Sequence, residues 1–255
     1  MQIPALELIG LSHRYPDGTL ALDGIDLSVL AGESVALLGP NGAGKSTLML
    51  HANGVLRPSS GTVAVDGVGI EDATVREVRL RVGLVFQDPD DQLFMTSVYD
   101  DVAFGPLNMG LPPDEADRRA HEALHAVGLA DQASRPAQHL SFGQRKRIAL
   151  ATVLAMDPSL LVLDEPTSNL DPRARRDMIA LITSLRVTRL VATHDMDLAW
   201  ELCERAVILD AGRVAADGPC KDVLSDEALL FAHGLETPPS ARAGRPCAAP
   251  GTIRP

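Results

Sequence analysis

Aromatic residues make up only 3% of this 255-residue chain, and cysteine is rarer still. Cys203, Cys220 and Cys247 are odd in number, far apart and without any C-x-x-C spacing. Neither a disulfide framework nor a zinc site is suggested, and free thiols are expected. Long apolar runs are missing as well. None approaches the roughly eighteen unbroken apolar residues of a bilayer-spanning helix, so no such helix is expected. The opening stretch MQIPALELIGLSHRYPDG lacks a basic segment followed by an apolar core. No secretory leader is therefore expected, and the chain is expected to stay in the cytosol. Positive charge is in deficit. Against 34 Asp and Glu stand 23 Lys and Arg, a formal net charge of −11 that would repel phosphate backbones over most of the surface. Nucleic acid is a poor candidate partner.

What remains is ordinary for a folded chain. Apolar residues at 45% and charged residues at 22%, over this length, are enough to bury a core and exclude disorder throughout. LALDGIDLSV and SVALLG read as strands, and a glycine-rich turn leads from the second into the helix-like STLMLHANG. GTVAVDG and RVGLVF are further short strands. From Ser97 to Ala137 the texture turns helical, and DEADRRAHEALHAVGL sets Ala116, Ala120, Ala123, Leu124 and Val127 on one face. LLVLD, RLVAT and AVILD then return as continuous apolar runs separated by helical stretches, the alternation of a parallel sheet covered by helices. From residue 237 the stretch TPPSARAGRPCAAPGTIRP offers almost nothing to bury and is expected to be a disordered tail.

Two motifs carry chemistry. Gly39, Pro40, Asn41, Gly42, Ala43, Gly44, Lys45, Ser46 and Thr47 fit G-x-x-x-x-G-K-[ST] between an apolar strand and a helix. Glycines let the backbone curl so that successive N–H groups converge on phosphates, and the following helix presents its positive end to the same anion. Lys45 is expected to reach the β- and γ-phosphates of ATP, and the Ser46 hydroxyl to ligate Mg²⁺. The second motif is Asp164-Glu165, at the carboxyl end of the strand LLVLD, where open parallel sheets gather ligands. Asp164 fits the acid that holds Mg²⁺ in P-loop NTPases. Glu165, expected to point to the opposite side because strand side chains alternate, is placed to polarise a water for attack on the γ-phosphorus. The acids Asp88, Asp90 and Asp91 read as solvated loop residues rather than a metal site.

A third stretch, Leu140-Ser141-Phe142-Gly143-Gln144, joins these two in a pattern that resembles the ATP-binding cassette transporter subunits. Ser141 and Gln144 have the spacing of a capping box, so a helix is expected to start there with N–H groups aimed outward. The resemblance runs from about Ala5 to Leu235. It implies an α/β P-loop cassette over 1–236, with a mostly parallel sheet, an antiparallel β subdomain and an inserted helical subdomain near 88–156. It also implies a second cassette, with Ser141, Gly143 and Gln144 holding the partner's nucleotide. Because every motif is intact, two copies of this chain are the simpler pairing. Tyr15 stands where an aromatic ring stacks on adenine. Gln87 matches the glutamine that senses Mg²⁺ and the attacking water, and the segment after it faces membrane subunits. Asp171, in SNLD, matches the loop that crosses to the partner, and His194 matches the histidine that contacts the γ-phosphate. Phe142 departs from the glycine most common in the signature.

QDPDDQLF, LSFGQRKRIALATVLAMDP and DEPTSNLDP further resemble the ATPases of energy-coupling-factor importers, especially the cobalt and nickel branch. Vitamin importers of the same class have similar ATPases. The implied protein is an ATPase peripheral to the cytoplasmic face of the cell membrane, powering integral-membrane subunits. An alternative is a soluble cassette ATPase acting on DNA or ribosomes. Against it, chromosome and repair relatives insert a long coiled coil where this chain has only the stretch 88–140, and translation-type relatives carry two cassettes. A regulatory module without turnover would lack a catalytic group, and none is missing.

Overall fold

The computed structural model describes residues 2–242. The N-terminal part holds strands β1 (Leu6–Arg14), β2 (Leu20–Val29) and β3 (Ser34–Leu38), helix α1 (Lys45–Ala52), strands β4 (Ser60–Val65) and β5 (Val68–Gly69), helix α2 (Val75–Arg81) and strand β6 (Val82–Val85). Three helices follow without a strand among them: α3 (Val98–Asn108), α4 (Pro113–Ala126) and α5 (Phe142–Leu154). The second half alternates β7 (Leu160–Asp164), α6 (Pro172–Ser184), β8 (Thr188–Ala192), α7 (Met196–Leu202), β9 (Arg205–Asp210) and β10 (Arg213–Pro219). Short helices α8 (Cys220–Ser225), α9 (Glu227–Ala232) and α10 (Pro239–Arg242) close the described chain.

Among the described residues the strands form two sheets. An antiparallel one is ordered β2-β1-β4-β5, and a mostly parallel one β10-β9-β3-β8-β7-β6, in which only β10 runs against its neighbour. The central strands are largely apolar because both of their faces are covered. Val35 and Leu37 of β3 face a core shared with the antiparallel sheet and α1. Ala36 and Leu38 face a second core with helices α5 to α8. A third core packs α3, α4 and α5 through Val102, Ala120, Leu124 and Ile148. Helix α5 belongs to two of these cores: Ala149, Leu150 and Val153 reach the sheet, while Ile148, Ala151 and Ala155 reach the other helices.

The observed elements differ from the sequence pattern at both ends. β1 is not apparent from periodicity because Gly10, at φ 57°, shifts its register between Leu8 and Leu11 and breaks the alternation. The expected disordered tail does not begin at residue 237. Thr237 and Ala241 are buried, and the Ser240 hydroxyl donates to Asp197 Oδ1 at 2.6 Å, docking α10 on the first turn of α7. The Pro/Ala composition hides that single polar anchor, and residues 243–255 lie outside the described part. Cys203 and Cys220 are free and buried, with burial pushing their thiols up to about 12 and about 11; Cys247 lies outside the described residues. Among those residues no helix is long and apolar enough to cross a membrane.

Leu161 of β7 is fully buried. Truncation to alanine is expected to cost about 2–5 kcal/mol, read as a lowered urea midpoint at unchanged slope.

Candidate functional site

Strand register brings the chemistry to one edge. Leu37 of β3 pairs with Ala192 of β8, and Ala192 pairs with Asp164 of β7, so three strands end level with one another. Their exits are stitched together: Glu165 N–H donates to the Ala192 carbonyl at 2.9 Å, and Thr193 N–H to the Leu37 carbonyl at 3.2 Å. The loops that leave here carry residues 39–44, 165–171 and 193–195.

The first loop is shaped by glycine. A Cβ on Gly39, at φ 147°, would lie 2.1 Å from the Leu209 carbonyl oxygen, and one on Gly44, at φ 105°, would lie 2.6 Å from that of Ala21. No larger residue fits either position. Gly44 begins α1 with no side-chain cap, so the first-turn N–H groups have no acceptor inside the helix and are disposed towards an anion. Lys45 folds back, its Nζ donating to the carbonyls of Gly39 at 2.7 Å and Pro40 at 3.0 Å. Burial lowers its pKa, and Glu165 and Asp164 oppose that shift.

This loop lines a cleft of about 330 Å³ with Asn41, Gly42, Gly44, Lys45, Ser46 and Thr47. Tyr15, Gln87, Asp164 and Glu165 share it. The Tyr15 hydroxyl is 3.0 Å from Thr47 Oγ1, and Ser46 Oγ donates to Asp164 Oδ2 at 3.2 Å. Burial raises the Asp164 pKa, the bond from Ser46 lowers it, and the neighbouring Glu165 raises it further. Strand alternation does not orient Glu165. It lies just past β7 in a left-handed conformation, φ 45°, and is buried. Its Oε1 accepts from the His194 backbone N–H at 2.9 Å and lies 2.6 Å from His194 Nδ1, while Thr193 Oγ1 donates to Oε2 at 3.1 Å. The His194 ring stays largely exposed.

Ser141, Gly143, Gln144 and Asp171 do not join that cleft. They line a separate depression of about 210 Å³ where α5 and α6 begin. The capping box is present: Ser141 Oγ accepts from Gln144 N–H at 3.3 Å, and Gln144 Oε1 accepts from Ser141 N–H at 2.9 Å. Asp171 caps α6 by accepting from the N–H groups of Arg173 and Ala174 at 2.9 and 3.0 Å, which lowers its pKa.

A profile of the ABC transporter family matches residues 22–168. Over 234 residues, spanning 92% of this chain and 90% of the relative, the sequence is 55% identical to an ABC transporter ATP-binding protein of Streptomyces coelicolor. The chain belongs to the ABC transporter family. The cassette is also 48% identical, over 92% of its length and 87% of the relative, to the energy-coupling factor transporter ATP-binding protein EcfA of Carboxydothermus hydrogenoformans. Among solved structures it superposes on cbiO1 of Clostridium perfringens, part of the ABC transporter complex cbiONQ, with a TM-score of 0.80 and 40% identity over 95% of this chain and 99% of that one. A dimeric ATP-binding cassette bound to ADP and Pi after hydrolysis gives 0.76 and 28% identity over 84% and 98%. The protein is an ABC-type ATPase whose cassette binds ATP.

Some residues of the site have no signal in the sequence. Thr193, fully buried, holds Glu165 but reads as the end of a strand. Lys146 sits in the basic run QRKR, yet it is buried and donates to the Glu165 carbonyl at 2.6 Å and to Ser168 Oγ at 3.0 Å. Of the loop acids, Asp88 caps the 89–91 turn and Asp90 pairs with Arg145 at 2.7 Å.

The raised Asp164 pKa has a sign. Its native carboxyl titrates above the ordinary 3.8, so the cost of ionising it is absent below that pH and complete once pH exceeds the native value. Asp164→Asn is expected to raise the melting temperature of the nucleotide-free cassette at pH 7, with the gain fading below about pH 4. ATPase activity should fall about 10²–10³-fold, measured as phosphate release.

Proposed function

We propose that this chain is the ATP-hydrolysing subunit of an energy-coupling-factor importer for cobalt or nickel ions. It works as a homodimer at the cytoplasmic face of the cell membrane, beneath integral-membrane subunits. The observation that carries the dimer is the division of the expected site into two separate surfaces. Phosphate loop and acids converge on one cleft, with His194 bonded to Glu165 beside it, whereas Ser141 and Gly143 line a depression that shares no residue with that cleft. A helix start with an outward serine hydroxyl answers an anion that its own chain holds elsewhere. A second copy, turned head to tail, completes both clefts at once.

Within each cleft, the backbone of residues 39–46 and the ammonium of Lys45 hold the β- and γ-phosphates once Lys45 releases its two carbonyls. Tyr15, at the rim, offers a ring to the adenine. Ser46 and Asp164 present one hydroxyl and one carboxylate 3.2 Å apart, the sparse protein set that suits Mg²⁺ when phosphate and water oxygens fill the other positions. Gln87 lines the same cleft and completes the set. Among the described residues no cluster of three His, Cys, Asp or Glu stands ready for a metal, in keeping with an ion that arrives with nucleotide. When bound, Mg²⁺ neutralises phosphate charge. Glu165 takes the proton of the attacking water, and His194, pinned to its carboxylate, reaches the γ-phosphate from an exposed position.

The membrane-facing side has its own support. Phe94, Met95, Phe104 and Leu107 are exposed apolar residues near the start of the helical segment, and the Phe94 and Phe104 rings meet edge-on at 5.1 Å. Asp101, buried, accepts from the N–H groups of Phe94 and Met95 at 2.9 and 3.0 Å and holds that turn outward. Apolar surface of this kind suits a hydrophobic partner. The importer class rests on the likeness to EcfA and to cbiO1, and the cargo on the motif resemblance of the sequence.

Glu165→Gln is expected to bind ATP, to accumulate as an ATP-stabilised dimer in size-exclusion chromatography, and to hydrolyse about 10²–10⁴-fold more slowly. Near-normal turnover removes Glu165 from this role. Cells carrying the variant should lose cobalt or nickel uptake; loss of vitamin uptake instead would move the chain to the vitamin branch.

A further inference from the structure

The turn that carries Glu165 is held from an unexpected direction. A glutamate at φ 45° occupies a backbone region that non-glycine residues keep only when their surroundings enforce it. Its N–H is fixed by β8 and its carboxylate by Thr193 and His194. The carbonyl accepts from Ser168 N–H at 3.1 Å, Ser168 Oγ at 2.9 Å and Lys146 Nζ at 2.6 Å. Apart from the Ala192 carbonyl at the end of β8, these contacts come from loops at the sheet edge, and Lys146 alone reaches in from a helix. It projects from α5, the helix that begins at the signature serine and is shared by the sheet core and the helical core.

Lys146 is placed where packing alone would not choose a lysine. It is 4% exposed, in a pocket lined by Phe86, Leu150, Leu163, Pro166, Met178 and Ile182. Burial there lowers its pKa to about 8, while Glu165, Asp164 and Asp88 act to raise it. A methionine would fill the same space without the desolvation cost. The ammonium gains two hydrogen bonds, and both fix the Glu165 turn.

We propose that Lys146 is a positioning residue for hydrolysis: reaching from the signature helix, it clamps the Glu165 carbonyl and so sets the position of the carboxylate that activates water. Because the same helix presents Ser141 to the partner's nucleotide, a displacement of α5 is passed to the hydrolytic turn of its own subunit. The inference rests on the reading of Glu165 as the water-activating base in a two-cassette enzyme.

The test compares Lys146→Met, Lys146→Arg and Ser168→Ala in the full-length protein, with Glu165→Gln alongside. Lys146→Met is expected to fold with an unchanged or higher melting temperature and to bind a non-hydrolysable ATP analogue within about threefold of the parent. Its kcat should fall tenfold or more at nearly constant KM, since the contact acts on the reacting geometry rather than on nucleotide binding. Lys146→Arg should recover part of that loss. Ser168→Ala should lower kcat less, and combining it with Lys146→Met should add little, as expected for two groups that hold one carbonyl. A folded Lys146→Met with normal kcat overturns the proposal. So does a kcat loss that only follows the folded fraction, or losses that add in full with Ser168→Ala. If Glu165→Gln turns over normally, the underlying reading of the site has failed; if Glu165→Gln is inactive while Lys146→Met is normal, only the role of Lys146 has failed.

Discussion

The constraint on which the site depends is the common end-point of β3, β8 and β7. Two peptide hydrogen bonds, from Glu165 to Ala192 and from Thr193 to Leu37, extend the ladder just past the strands. Three loops with different sequences therefore leave the sheet at one level. The strands themselves have no freedom to slip: Leu37, Leu163 and Val191 are buried on faces that a one-residue shift would invert. From behind, the β9–β10 turn closes on the phosphate loop, with Gly212 N–H donating to the Ala43 carbonyl at 3.1 Å. Close approach by other strands, rather than loop flexibility, accounts for glycine at both 39 and 44: Leu209 of β9 crowds the first and Ala21 of β2 the second.

Charge at this edge is arranged around an anion supplied by the ligand. Lys45 lies near Asp164 and Glu165 but makes its hydrogen bonds to loop carbonyls, while buried Asp164 is disfavoured in its ionised form. On the proposed function, phosphate with its cation would relieve both conditions together, giving Lys45 an anionic partner and Asp164 a positive one. The two helix starts complement this. α1 begins without a side-chain cap, which leaves its first N–H groups open to an anion. α5 is capped through Ser141 Oγ acting as acceptor, which leaves the hydroxyl proton free to be donated outward.

What the sequence made legible was contiguous. The phosphate loop, the acid pair and the capping box each sit within nine residues, and the backbone settings of the loop and the box follow from glycine and serine chemistry. The helical stretch was legible as well, because Ala116, Ala120, Ala123, Leu124 and Val127 repeat at helical spacing and are all buried. Contacts between distant segments were not. β1 is hidden by the bulge at Gly10, and α10 by the lone anchor between Ser240 and Asp197. Glu165 was expected to turn by strand alternation, but a left-handed residue beyond the strand orients it, and nothing in the letters Asp-Glu-Pro reports a positive φ. Lys146 is the clearest case, since a basic run at the start of a helix reads as solvent-facing and burial depends on α6 and β7 closing over it.

The departure of Phe142 from the usual signature glycine has a physical place in the same picture. Its ring lies 5.6 Å from Lys146 Nζ and 5.7 Å from the Arg145 guanidinium carbon. A glycine would leave that side of the ammonium without cover. The aromatic face instead replaces part of the hydration that a buried cation forfeits, by an attraction of about 0.5–2 kcal/mol. Arg145, held by Asp90, keeps the second cation over the ring without bringing it into the lysine pocket. Phe142 therefore sits against the buried lysine that bonds α5 to the Glu165 turn. The two residues belong to one packing unit, in which ring and ammonium stabilise each other while Ser141 and Gly143 remain open on the outer surface.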